Sequence, residues 1–83
     1  MTQVVLTDEL GRQFTGGLTH FELEAATVGQ VVRQLDAKFP GLGDQLRSGA
    51  IAVAIDGEIF SDAMLEPVKP GSEVYFIPSI RGG

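Results

Sequence analysis

The sequence predicts an α+β fold of two layers, one mixed sheet packed on one main helix, and three observations carry that expectation. Short stretches with strand chemistry fall at 3–7, 18–24, 50–55, 58–60 and 73–77. One stretch, from Thr27 to Phe39, instead repeats its apolar residues at helical spacing. The order is then strand, strand, helix, strand, short strand, strand, and one sheet wrapped over the helix buries the apolar side of each.

Gln3 to Thr7 is β-branched and apolar enough for a first strand. Asp8 to Gly17 reads as a loop, with Asp8, Glu9 and Gly11 at one end and Gly16-Gly17 at the other. Leu18 to Glu24 alternates, with Thr19, Phe21 and Leu23 on one face and His20, Glu22 and Glu24 on a solvated one. His20 is therefore expected as an exposed strand histidine. Thr27 is a good N-cap, and Gln30 three residues later completes a Thr-x-x-Gln capping box. Val28, Val31, Val32, Leu35 and Phe39 form the core stripe of the helix, opposite Arg33, Gln34, Asp36 and Lys38. Pro40 ends the helix by pushing Phe39 out of the α region. Gly29 in the first turn opposes helix formation, so close packing is its expected reason.

Gly41 to Gly49 is a connection with room for one helical turn at 44–47. In Ala50 to Ile55, large Ile51, Val53 and Ile55 alternate with small alanines, which suits a strand with both faces at least partly covered. Asp56-Gly57 signals a type I′ hairpin into a short strand, Glu58 to Phe60. Ser61 to Lys69 has no regular pattern, and Pro70-Gly71 makes a tight turn into the last strand. There Val74 and Phe76 share one face, and Tyr75 and Ile77 the other, which no helix covers. Pro78 is expected to stop this strand, leaving residues 78–83 as a tail.

Composition excludes several functions. The chain of 83 residues suits a single domain, and it has no cysteine, so disulfides, thiolate metal sites and cysteine nucleophiles are absent. A lone histidine cannot supply a histidine-based zinc cluster, and no metal site is expected. The formal charge is −5 and the six basic residues are dispersed, which argues against nucleic acid and suits a partner with a basic docking surface. No targeting segment is visible, and the longest apolar run, Ala50 to Ile55, is far short of the ~20 residues of a membrane span. A cytoplasmic protein is the expectation.

The feature with chemistry in it is the ending, Ile80-Arg81-Gly82-Gly83. Without a Cβ, Gly82 and Gly83 can enter a channel too narrow for other residues, carrying the terminal carboxylate. That carboxylate is ionised at neutral pH and is a poor acyl electrophile, so its chemistry needs an activating partner, most simply one that adenylates it with ATP. The chain has no phosphate loop and no general base beside the tail, so it is not expected to be an enzyme itself.

Taken together the pieces resemble the MoaD/ThiS family of ubiquitin-like sulfur carriers, and in length the MoaD branch more than the thiamine-pathway carriers. The resemblance rests on Ala26-Thr27-Val28-Gly29, Phe39-Pro40-Gly41-Leu42, Val53-Ala54-Ile55-Asp56-Gly57-Glu58, and the run from Pro70 through Pro78 leading to Gly82-Gly83. It implies a ubiquitin-like β-grasp. It also implies a carrier whose Gly83 is adenylated by a MoeB/ThiF-like enzyme and converted to a thiocarboxylate. That species gives its sulfur to an acceptor such as the large subunit of molybdopterin synthase, in molybdenum cofactor biosynthesis. No cofactor is bound, and the ATP belongs to the partner. Tyr75, Ile77 and Pro78 are the implied partner contacts, and Ile80, Arg81 and Gly82 the arm. The absence of cysteine excludes the plant-type ferredoxins, which share this fold. Two alternatives stay open: a ubiquitin-like protein modifier, since Arg81-Gly82-Gly83 is also a ubiquitin-like ending, and a binding module with an inert tail.

Overall fold

Thr27 begins the main helix as the sequence requires: its backbone is extended and its hydroxyl accepts the Gln30 N–H at 3.2 Å. The computed structural model describes residues 1–79, and in it this helix, α2, spans Val28–Lys38. Gln30 Oε1 reaches back to the N–H of Ala26 at 2.8 Å, one residue before the N-cap, so the capping box is displaced by one. The segment 61–69 completes the cap. Val28 N–H donates to the Glu66 carbonyl at 3.0 Å and Gly29 N–H to the Met64 carbonyl at 2.8 Å. Donors that a helix start leaves unpaired are thus satisfied from far along the chain. Gly29 has its packing reason here, because a Cβ would meet the Met64 carbonyl oxygen at 3.0 Å.

The helix buries Val28, Val31, Val32 and Leu35 completely. They form one cluster with the inward residues of a five-stranded sheet of order β2-β1-β5-β3-β4. Its strands are β1 (Thr2–Val5), β2 (His20–Leu23), β3 (Ile51–Ile55), β4 (Glu58–Phe60) and β5 (Glu73–Pro78). The two hairpin pairs and β3–β5 are antiparallel, and β1–β5 is parallel, so the sheet is mixed. Period-two alternation places Val4, Leu23, Val53, Ile55, Val74 and Phe76 inward. Phe21 meets Phe39 edge to face, with ring centroids 5.8 Å apart. Asp56 and Gly57 both have positive φ, 50° and 89°, as the type I′ hairpin demands.

Three expectations are corrected. Asp8 to Gly17 is not a loop: α1 (Asp8–Leu10) runs into a π-helical turn, Gly11–Thr15. Thr7 caps α1 by accepting the Leu10 N–H at 3.1 Å, Leu10 is buried, and Gly16 and Gly17 stop the turn at φ 69° and 101°. The Gly41–Gly49 connection holds a helix, α3 (Leu42–Arg47), which buries Leu42 and Leu46. Its start is tied to the end of α2 by Asp36, whose Oδ1 accepts N–H groups from Gly41 and Gly43 at 3.2 and 2.9 Å. Third, Pro78 does not stop the last strand but belongs to it, paired with Ile51.

Candidate functional site

The reason Pro78 fits inside β5 also defines where the tail leaves. Ser79 N–H donates to the Ala50 carbonyl at 2.8 Å, so the N–H groups of alternate residues here point toward β3. The Pro78 nitrogen points the other way, toward the β1 side, where pairing ends at Val5↔Tyr75. The missing donor therefore has no ladder partner to lose. Upstream, β5 is central and paired on both sides. From Phe76 onward only β3 holds it, through Val53, Ala52 and Ile51. The pairing extends one residue past the strand, so both Pro78 and Ser79 are held to β3.

Registers fix what lies on the outer face of the sheet, away from α2. Val5, Tyr75, Ala54 and Ile59 form one row across β1, β5, β3 and β4, with His20 of β2 at its end. Ala52 and Ile77 form the next row toward the tail. Tyr75 is 41% exposed and Ile59 66% exposed, while Ile77 is half-buried. Between β4 and the exit of β5 lies a shallow groove of about 200 Å³ lined by Ala52, Ile59, Ser61, Ile77, Pro78 and Ser79. On the other side of the exit, Thr7, Gln13, Gln45 and Pro78 are among the residues that line a more polar groove of about 290 Å³. The last described residues of the chain thus run between two grooves.

Of the site residues read from the sequence, Tyr75 and Ile77 stand side by side on the outer face, and Pro78 is exposed at its end. Ile80, Arg81, Gly82 and Gly83 lie outside the described residues. Ile59 was missed, although it is the most exposed apolar residue of this face. Its signal was the hairpin itself: after a two-residue Asp56-Gly57 turn, Ile59 must oppose Ala54, on the same face as Tyr75. Among the described residues no group of His, Cys, Asp or Glu could hold a metal ion, and no buried side-chain polar atom lacks a hydrogen-bond partner. No helix among them is long and apolar enough to cross a membrane. What the arrangement offers is an exposed apolar face with the last described residues, Pro78 and Ser79, at its edge.

Comparison with known proteins bears on the family and the fold. The model of the ThiS family matches residues 9–83. Among solved structures, one determined as the BexX/CysO complex of Amycolatopsis orientalis contains a chain 26% identical to this one, at a TM-score of 0.83, with all of both chains covered. CysO of Mycobacterium tuberculosis, described as an antigen, aligns at 20% identity and a TM-score of 0.82 over 96% of this chain and all of its own. The HVO 2177 protein of Haloferax volcanii aligns at 24% identity and a TM-score of 0.72, over 99% of this chain and 85% of its own. These likenesses establish the ubiquitin-like β-grasp architecture. Sequence comparison finds no match among curated proteins.

Proposed function

The chain belongs to the ThiS family and has the sulfur-carrier fold of that family, and from this premise we propose that it carries sulfur as a thiocarboxylate on Gly83. The observation that carries the reading is the extent of the family match, which runs through residue 83 and so includes Gly82-Gly83. The exposed apolar face beside the exit of β5 supports it.

In this reading a MoeB/ThiF-like partner binds ATP and the Gly83 carboxylate attacks the α-phosphorus. Pyrophosphate leaves and an acyl adenylate forms. A sulfur nucleophile at the hydrosulfide level then attacks the acyl carbon, AMP leaves with the bonding electrons, and the thiocarboxylate remains. The protein contributes position and reach. Residues 80–83 can span at most about 14 Å when extended, so the nucleotide must sit within that distance of Ser79. Tyr75, Ile77 and Pro78, joined by Ile59, form the partner contact, and Ile80, Arg81 and Gly82 the arm. Arg81 supplies a charge-assisted contact to acidic groups or nucleotide phosphate on the partner. The chain acts as a cytoplasmic carrier rather than an enzyme.

The acceptor on the first reading is a molybdopterin-synthase-type large subunit. A second acceptor is favoured by a specific observation: the 26%-identical chain comes from a BexX/CysO complex, so a BexX-like protein stands beside the molybdopterin route. Intact-mass measurement of protein from cells with an active sulfur-donor pathway tests the reading. The expected result is an oxygen-to-sulfur exchange located at Gly83. Recovery of the chain only as amide conjugates on other proteins would favour a protein modifier instead.

A further inference from the structure

The outer face of the sheet has two chemically different ends. Beyond the row of Val5, Tyr75 and Ala54, away from the tail, the next row holds Glu22, Gln3 and Glu73 on β2, β1 and β5. Asp56 joins it from the hairpin, exchanging hydrogen bonds with the Glu73 backbone: its N–H donates to the Glu73 carbonyl and its Oδ1 accepts the Glu73 N–H, both at 2.9 Å. Gln3 Nε2 donates to Glu22 Oε1 at 2.8 Å, which orients that carboxylate. Three carboxylates thus line one end of a face whose strands present no lysine or arginine outward. The described lysines and arginines lie elsewhere, Arg12 in the π turn, Arg33 and Lys38 in α2, Arg47 in α3, and Lys69 before β5, while His20 ends the neighbouring row of this face. The other end, with Ala52, Ile77 and the tail exit, is apolar. Glu9 lies nearer that exit, in the groove beside Pro78, but in α1 rather than on a strand.

We propose that the partner which activates Gly83 lays cationic side chains along Glu22, Glu73 and Asp56, and that this row decides which way round the carrier docks. The proposal rests on the carrier reading above and deepens it. Charge complementarity identifies the occupant: a basic protein surface is attracted, whereas a second copy of this chain, itself at net charge −5, is repelled. Geometry supplies the orientation. Glu73 and Ile77 are four residues apart on β5, about 13 Å along the strand, so the carboxylates sit far from the end that reaches toward nucleotide phosphates. Docking in the reverse sense would set them against that anionic site and turn the tail away.

The test uses the full chain, the purified adenylating enzyme encoded in the same genome, and ATP–pyrophosphate exchange as the readout. Glu22→Lys/Glu73→Lys is compared with Asp44→Lys/Glu66→Lys, which changes net charge equally on the helical layer and in the 61–69 segment. Thermal melting establishes that each is folded. The first pair raises the KM for the carrier about tenfold at low ionic strength with little change in kcat, a gap that narrows as salt is added. The second pair has little effect. The neutral Glu22→Gln/Glu73→Gln variant, which leaves every backbone bond in place, falls between wild type and reversal. Equal effects from the two reversed pairs would mean that only net charge matters and would overturn the proposal, as would no effect from either. Absence of exchange with the unmodified chain would overturn the carrier reading itself, and the docking row with it.

Discussion

Replacing Tyr75 by serine separates docking from folding, because its strand neighbour Phe76 faces the opposite way. Tyr75 is 41% exposed and Phe76 1% exposed. An aromatic side chain presents roughly 150–250 Å², so about 80 Å² of Tyr75 remains for a partner to cover. At ~25 cal/mol/Å² that area is worth about 2 kcal/mol, or about thirtyfold in affinity. The cost to folding is smaller. An outer-face strand position contributes about 1 kcal/mol through its cross-strand neighbours, here Val5 and Ala54. The same strand bears a much larger cost one residue on, where Phe76→Ala opens the core and loses about 3–5 kcal/mol. For a domain of this size 1 kcal/mol moves the melting temperature by about 4–8 °C, so Tyr75→Ser stays folded at 25 °C. Calorimetric titration against the activating enzyme, with thermal melting of the free chain, reads both quantities. Unchanged affinity would remove Tyr75 from the docking face. Unfolding at 25 °C would show that it works as a core residue, and the two-faced reading of β5 would fail with it.

Deleting Gly83 is expected to abolish ATP-dependent activation while leaving the melting temperature unchanged, because the core and the described strand pairing are built from residues up to Ser79; full activation of the shortened chain would refute this. Gly43→Ala is expected to destabilise by about 1–2 kcal/mol despite its gain in helix propensity. The new Cβ would meet Asp36 Cβ, Cγ and Oδ1 at 2.9 Å and push that carboxylate off the Gly41 and Gly43 N–H groups. In an Asp36→Gly background, which removes all three of these atoms, the same change should cost nothing, and a persistent cost in denaturant melts would place the strain elsewhere.

What the sequence made legible was carried by local periodicity. The stripe of α2, the alternation of β2 and β3, and the Asp56-Gly57 turn each state their structure within a few residues. The misses have two physical origins. At Asp8–Thr15 the local signal exists, since Thr7 precedes two acids and then Leu10, but Gly11 and Gly16-Gly17 make the stretch read as a loop. Gly11 is there for close approach: a Cβ would meet Thr19 Cγ2 at 3.0 Å and the Leu18 carbonyl oxygen at 3.2 Å. Segment 61–69 had no local signal to read. Its contribution is made by the Met64 and Glu66 carbonyls, which any residue carries, and what matters is that they arrive at the start of α2. The same holds for Pro78, whose place in the strand follows from its register with β3 and from β1 ending early. The proposed chemistry, by contrast, rests on the ending, Gly82-Gly83, which lies outside the described residues.

The position of β5 in the sheet bears on why such an ending can be attached to such a body. A C-terminal strand at a sheet edge would hold its tail by one ladder throughout, and the base of the arm would fray. Here parallel pairing with β1 and antiparallel pairing with β3 put β5 at the centre, so Val74 and Tyr75 are held on both sides. Only the last residues, past the end of β1, are released to single pairing. Tyr75, the largest side chain on the outer face, therefore sits on the most firmly held part of the strand, four residues before the tail leaves Ser79. A partner that grips Tyr75 fixes the origin of the arm to within the play of a short, half-paired segment. With at most about 14 Å of chain beyond it, an error of a few ångströms at the base would be a large fraction of the reach. The central strand keeps that error small, which is why a loss of activation from weakened β3–β5 pairing near Ile51 should appear in kcat before it appears in affinity.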